Sequence, residues 1–191
     1  MLLIDVRIKN YKCILDSETF SIDQLTCLVG KNESGKSAIL QALYKLNPVD
    51  KEDTYDALYE YPKMYQTDFE AGLIEDGDTV VISHWKFTAE EIEALEKQFG
   101  TDFIGDSTVV TISNGYKNKR TWDFDANFHS LFEKKMEEFG FETSDRAQIP
   151  SYDSIGEVRA QLKSISTLSE AEQEFKKWFE VSFPNDRLDA F

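Results

Sequence analysis

The segment Gly30-Lys31-Asn32-Glu33-Ser34-Gly35-Lys36-Ser37 fills the phosphate-loop pattern G-x-x-x-x-G-K-S/T without a mismatch, and its flanks restrict what the chain can fold into. Residues 25–29 before it are mostly apolar and predict a buried strand, with the small thiol of Cys27 packed inside it. Residues 37–46 after it predict a helix, stopped by Pro48, with Ile39, Leu40, Leu43 and Leu46 as a core stripe. Strand, loop and helix in this order place backbone N–H groups and a helix N-terminus around one anion.

Each loop residue has an expected part. Gly30 and Gly35 let the backbone curl around phosphate, and Lys36 reaches the β- and γ-phosphates. The Ser37 hydroxyl is placed to ligate Mg²⁺. Lys31, Asn32, Glu33 and Ser34 form the variable part. Asn32 has two readings, an amide donor to a phosphate oxygen or a turn residue that tolerates left-handed geometry.

The hydrolytic half of such a site is harder to find. Hydrolysis needs a carboxylate that holds Mg²⁺ at the end of a second buried strand, and no apolar run ending in Asp-Glu follows Ser37. Leu2-Leu3-Ile4-Asp5 has the shape but precedes the loop, so Asp5 reads as an outward-facing strand residue. Leu168-Ser169-Glu170-Ala171-Glu172 shares only two letters with an L-S-G-G-Q signature and reads as a helix start.

Composition narrows the partners. With 36 acidic and 21 basic residues the net charge is −15, which repels a nucleic-acid backbone, so no direct nucleic-acid binding by this segment is expected. Lys12, Lys31 and Lys36 supply the local positive charge that an anionic nucleotide needs. No run of eighteen apolar residues occurs and the chain opens directly on a strand pattern, so neither a membrane span nor a signal peptide is expected. Two cysteines are too few for a disulfide framework, which fits a cytoplasmic setting. His84 in a strand and His129 on a helix offer no metal or acid–base constellation.

Elsewhere, Ile4, Val6 and Ile8 alternate on one strand face, and Phe20 with Ile22 follow a turn at Asp16-Ser17. Residues 49–65, acidic and tyrosine-rich, predict loop. Thr67-Asp68-Phe69-Glu70 predicts a capped short helix, with a hairpin turn at Asp76-Gly77 as the alternative. Residues 80–87 predict a strand, and Thr88 caps a helix carrying Ile92, Leu95 and Phe99. Residues 108–124 predict a hairpin that turns at Asn114-Gly115 in type I′ geometry. Three amphipathic helices follow, with stripes of Phe128, Leu131, Phe132, Met136 and Phe139, then Ile155, Val158, Leu162 and Ile165, then Phe175, Trp178 and Phe179 behind a capping box at Ser169 and Glu172.

The run Ile8-Lys9-Asn10-Tyr11-Lys12-Cys13 together with residues 25–37 resembles the amino-terminal lobe of ABC-type ATPase heads of the SMC and RecF-like group, which open on N-F/Y-K/R and continue to G-x-N-x-S-G-K-S. Tyr61-Pro62-Lys63 and the strand at 80–87 are more similar to the OLD (overcoming lysogenisation defect) family and its anti-phage ATPase relatives. The resemblance covers roughly residues 1–100. It implies an α/β fold, a P-loop NTPase lobe with antiparallel β elements, taken at 1–125 as an incomplete domain, and the helical stripes at 126–191 then read as a helical segment, an insertion or arm of the same ATPase. It implies ATP and Mg²⁺ as cofactors, and ATP sandwiched between two heads of a homo-oligomer or head-to-head dimer. It also implies that Lys12 approaches the nucleotide, although an exposed strand-end lysine explains it equally. A Mg²⁺-contacting Gln is expected after the first helix, and Gln66 is the nearest candidate, with a helix-flanking polar residue as the alternative. OLD proteins carry a nuclease domain after the ATPase, and nothing here matches one, so the chain reads as the front piece of a longer protein or a product cut short.

Three functions follow from this reading: the ATP-binding lobe of a phage-defence or DNA-maintenance ATPase completed by other residues, a noncatalytic nucleotide-binding interaction module, or a small-molecule P-loop kinase. The last would need a lid of several Arg, whereas Arg7, Arg120, Arg146, Arg159 and Arg187 are dispersed.

Overall fold

The computed structural model describes residues 1–73 and 78–184. The chain separates into two compact units, one of Met1–Thr88 with Thr108–Phe124, the other of Ala89–Ser107 with the described part of Asp125–Phe191.

The first unit is built on β1 (Leu2–Tyr11), β2 (Ile14–Ser21), β3 (Thr79–Lys86), β4 (Val109–Gly115) and β5 (Arg120–Phe124), with helices α1 (Lys36–Tyr44), α2 (Ala57–Glu60) and α3 (Gln66–Glu70). The strands form one sheet in the order β2-β1-β3-β4-β5, antiparallel throughout. Val6 pairs with Phe20 on one side and Ser83 on the other, which buries Val6 and Ile8 completely. Behind the sheet lies a core in which Ile8, Val80 and Val81 meet Ala38 and Ala42 of α1 and the rings of Tyr11, Tyr55, Tyr61 and Tyr116.

Buried tyrosine hydroxyls need partners, and three of these four find them, the Tyr61 hydroxyl having none among the described residues. Tyr11 donates to Glu60 Oε1 at 2.8 Å, Tyr55 to the Ala42 carbonyl at 2.7 Å, and Tyr116 to the Asn10 carbonyl at 2.6 Å. Burial first, then the neighbouring Glu60 charge, pushes the Tyr55 and Tyr116 phenols up, and Tyr11 rises for the same reasons with its hydrogen bond to Glu60 added. The segment expected as loop at 49–65 is therefore structural, since α2 sets the Glu60 carboxylate under Tyr11.

Several sequence expectations are corrected. The first hairpin turns at Lys12-Cys13, where Tyr11 pairs with Ile14, and Asp16 and Ser17 lie within β2 beside a register shift. Arg7 binds the Asp16 carboxylate there and holds it down at about 2. The second hairpin does not turn at Asn114-Gly115. Asn114 still pairs with Arg120, Gly115 is extended, and the reversal falls on Tyr116–Asn118 with Lys117 left-handed at φ 59°. Tyr116 is drawn fully into the core, and a Cβ on Gly115 would stand 1.9 Å from the Asp78 carbonyl oxygen, so this glycine serves a close backbone approach. In α3 the cap position is Tyr65 with no side-chain cap, not Thr67. The alternative turn at Asp76-Gly77 lies outside the described residues.

The largest correction concerns residues 25–29. They form no strand, Leu25 and Val29 are 86% and 93% exposed, and the thiol of Cys27 is exposed with them. A strand of this apolar kind is stable only with neighbours on both edges and cover on both faces, and none of the described strands pairs with it. The α1 stripe divides for a related reason. Ala38 and Ala42 face the sheet core, whereas Leu40 is 60% exposed.

The second unit is helical: α4 (Ala89–Phe99), α5 (Phe128–Glu138), α6 (Thr143–Gln148), α7 (Ile155–Ser164) and α8 (Glu170–Ser182). Its centre is aromatic, with Phe132 in ring contact with Phe175, Phe179 and Phe183, and Phe179 in turn touching Phe175 and Phe183. The capping box of α8 forms as the sequence implies, Ser169 and Glu172 exchanging side-chain and backbone hydrogen bonds, and Pro184 lies beyond the helix end. Glu133 joins Arg146 and the Tyr152 hydroxyl, and His129 stacks on Tyr152 at 4.4 Å while its Nδ1 meets Asp153 at 2.7 Å. Among the described residues no helix is long and apolar enough to cross a membrane.

Candidate functional site

The phosphate loop lies between the exposed segment 25–29 and α1. Two of its residues are left-handed, Glu33 at φ 66° and Gly35 at φ 88°, so the sharp turn comes from these and not from Asn32. Gly35 is the N-cap of α1, and no side chain caps that end. The first-turn N–H groups of α1 are thus left for an anion. Gly35 also backs closely onto the first hairpin, since a Cβ there would sit 3.4 Å from Cys13 Sγ and in a strained conformation.

The Lys36 ammonium folds over the loop, donating to the carbonyls of Gly30 at 2.9 Å and Lys31 at 2.5 Å, with Ser34 Oγ at 3.3 Å. Neutral carbonyls hold an ammonium less strongly than a phosphate does, so an arriving phosphate competes for it favourably. Beside it a cavity of about 360 Å³ is lined by Glu33 to Ala38 and by Gln41 of α1, with Lys12 and Cys13 of the first hairpin forming its other wall. Lys12 reaches this wall because it occupies the left-handed position of the β1–β2 turn at φ 53°, and its backbone N–H is anchored on the Glu60 carbonyl at 2.6 Å. Its ammonium lies 2.5 Å from Gln41 Oε1 and 3.9 Å from Glu60 Oε1.

Glu60 ties the site to the core. Its carboxylate accepts from Lys45 Nζ at 2.9 Å on both oxygens, from Tyr11, and from the Asp56 amide at 3.0 Å. Burial alone would raise this carboxyl, but the Asp56 amide, Lys45 and Tyr11 outweigh it and hold Glu60 below its ordinary value. Lys45, one residue past α1, is raised in turn because Glu60 and Asp53 overcome its own burial. The C-terminal end of α1 and the Lys12 turn are therefore both fixed to one buried carboxylate.

The structure brings Lys12, Glu33, Ser34, Gly35, Lys36 and Ser37 to one cavity, and Gly30 and Lys31 hold Lys36 from outside it. Asn32 is exposed and does not line it. Gln66 is elsewhere, its amide donating to the Leu58 carbonyl at 3.4 Å and to Glu70 at 3.3 Å. Cys13 and Gln41 line the cavity without having been expected there. Gln41 had a signal, because it follows Ser37 by four residues and shares its helix face. Cys13 had none apart from adjoining Lys12. Asp5 pairs with His84 across the sheet at 2.5 Å, away from the loop. Among the described residues no group of three or more His, Cys, Asp or Glu is placed to hold a metal on its own.

A glycine-rich loop, an uncapped helix start and two lysines around one cavity, set on a mixed α/β unit with an antiparallel sheet, define a P-loop ATPase lobe. The family model described as an AAA ATPase domain matches residues 1–185, and the chain belongs to that family. A comparison with curated proteins gives no match.

Proposed function

We propose that this chain is the ATP-binding lobe of an ABC-type ATPase of the OLD-like group, acting in phage defence or DNA maintenance. The carrying observation is the cavity where Lys36, Ser37 and Lys12 meet the open start of α1. There the backbone N–H groups and Lys36 grip the β- and γ-phosphates, Ser37 ligates Mg²⁺ jointly with them, and Lys12 adds charge from the opposite wall. Hydrolysis on this reading draws on a second acidic strand and on a group from an opposing head, through a homo-oligomer or head-to-head dimer, with a nuclease domain or partner as the effector. The exposure of apolar Leu25 and Val29 supports this, since further strands would cover them. A noncatalytic nucleotide-binding module is the second reading, favoured by Glu33 being the only carboxylate that lines the cavity among the described residues.

Titration with ATP in the presence and absence of Mg²⁺ tests the proposal. Lys36→Ala is expected to weaken ATP by roughly ten- to a hundredfold, the loss of one charge-assisted bond of about 1.5–3 kcal/mol. Ser37→Ala is expected to weaken Mg·ATP more than ATP in chelator. Phosphate release by a monomeric preparation above the Lys36→Ala background would overturn the need for an opposing head.

A further inference from the structure

The first unit has a second cavity, of about 270 Å³, between the chain leaving α1 and the β4–β5 turn, and it shares no lining residue with the first. In a chain of net charge −15, its walls carry four cations, Lys45, Lys51, Lys119 and Arg120, against a single carboxylate, Asp53. That carboxylate is spoken for. Lys45 holds Asp53 at 3.1 Å while also bonded to Glu60 and to the Thr54 carbonyl, so Lys45 is itself matched by two carboxylates and is not available to a ligand.

Of the other three cations, Lys51 and Arg120 have no carboxylate partner among the described residues, and Lys119 shares one with a second lysine. Lys51 donates to the uncharged Asn47 Oδ1 at 2.9 Å. Lys119 has only Asp78, 3.8 Å away and shared with Lys117 at 3.4 Å. The Arg120 guanidinium lies over the Trp122 ring at 5.0 Å, an uncharged partner that leaves its charge uncompensated.

We propose that this cavity binds a small phosphoryl anion, such as an inorganic oligophosphate or the phosphate end of a phosphorylated metabolite, held by Lys51, Lys119 and Arg120. Three cations around one space match a multiply charged anion, whereas one carboxylate would leave most of their repulsion standing. A guanidinium edge suits the paired oxygens of phosphate. The volume falls below that of cavities that enclose drug-sized molecules, which selects a small ligand. The overall negative charge disfavours a long polyanion laid across the surface.

The test is calorimetric titration of the 191-residue chain with inorganic tripolyphosphate, carried out on the Lys36→Ala protein to weaken the phosphate loop. Tripolyphosphate is expected to bind at one site, and adding Arg120→Gln or Lys51→Gln should weaken it about tenfold each. Both side chains are exposed, so an unchanged melting temperature without ligand will show that the fold is intact. No binding to the Lys36→Ala protein, or binding that ignores both substitutions, overturns the proposal. A parallel titration with a single-stranded oligonucleotide separates the sources of phosphate. Binding of the oligonucleotide alone, lost with Arg120→Gln and falling steeply with salt, would overturn it in favour of nucleic acid.

Discussion

Strand β1 and residues 25–29 both read as strands, and they end in opposite states. β1 lies between β2 and β3 with Val6, Ile8 and Tyr11 fully buried, whereas residues 25–29 pair with nothing described and leave Leu25 and Val29 in solvent. Apolar content does not separate them. What does is the range of the partners each needs. An antiparallel strand finds its first neighbour through a two-residue turn, here at Lys12-Cys13, and that half of the ladder is local. An apolar run bounded by a phosphate loop needs neighbours brought from far along the chain or from another chain.

The sharpest contrast is expected between the sheet core and the exposed segment. Tyr116→Ala empties the centre of the tyrosine cluster and orphans the Asn10 carbonyl, and should cost about 4 kcal/mol of unfolding free energy in a urea titration. A cost below about 1 kcal/mol would mean that this core is as loosely held as residues 25–29.

A smaller loss, about 2 kcal/mol, is expected for Glu60→Gln, which removes the charge facing half-buried Lys45 while Asp53 still partly compensates it. Its pH dependence distinguishes it from a packing defect. Glu60 is depressed in the folded chain, so its contribution is present above the ordinary carboxylate range and is lost as pH falls through the folded value. The gap between the wild-type chain and Glu60→Gln should therefore narrow on acidification. A gap that stays constant would show that the carboxylate acts by shape alone.

The smallest effect tests the other side of the comparison. Val29→Ser should change stability by less than about 0.5 kcal/mol, because the side chain leaves water only slightly on folding. In a Cys13→Ser background, Cys27 should react with a thiol reagent as fast in the folded chain as in denaturant. Slowing of that reaction as protein concentration rises would show self-association covering residues 25–29.

Much of this was legible in the residues themselves. The capping box at Ser169 and Glu172, the stripe on α5 and the alternation in β1 are local patterns whose partners lie within one turn or on one face, and all three form. The turn at Asn114-Gly115 misled because its local preference is overridden by burial of Tyr116 and the approach of the Asp78 carbonyl. The loop residues at the site could be read because their spacing is their chemistry. Gln41 could have been read from its spacing to Ser37, whereas Cys13 was hidden, since the hairpin and α1 had to meet before it faced the cavity.

Sequence by itself thus determined the phosphate loop, the helix that follows it, the acidic surface and most helical faces, because each depends on covalent spacing or on side-chain type. Tertiary structure decided the rest: which strands pair, that Glu60 is buried between Tyr11 and Lys45, that Lys12 stands across from Lys36, and that residues 25–29 remain uncovered. Those outcomes rest on contacts between residues far apart in the chain. The free energy of such contacts exists only once both partners have been brought together, so no local pattern can carry it.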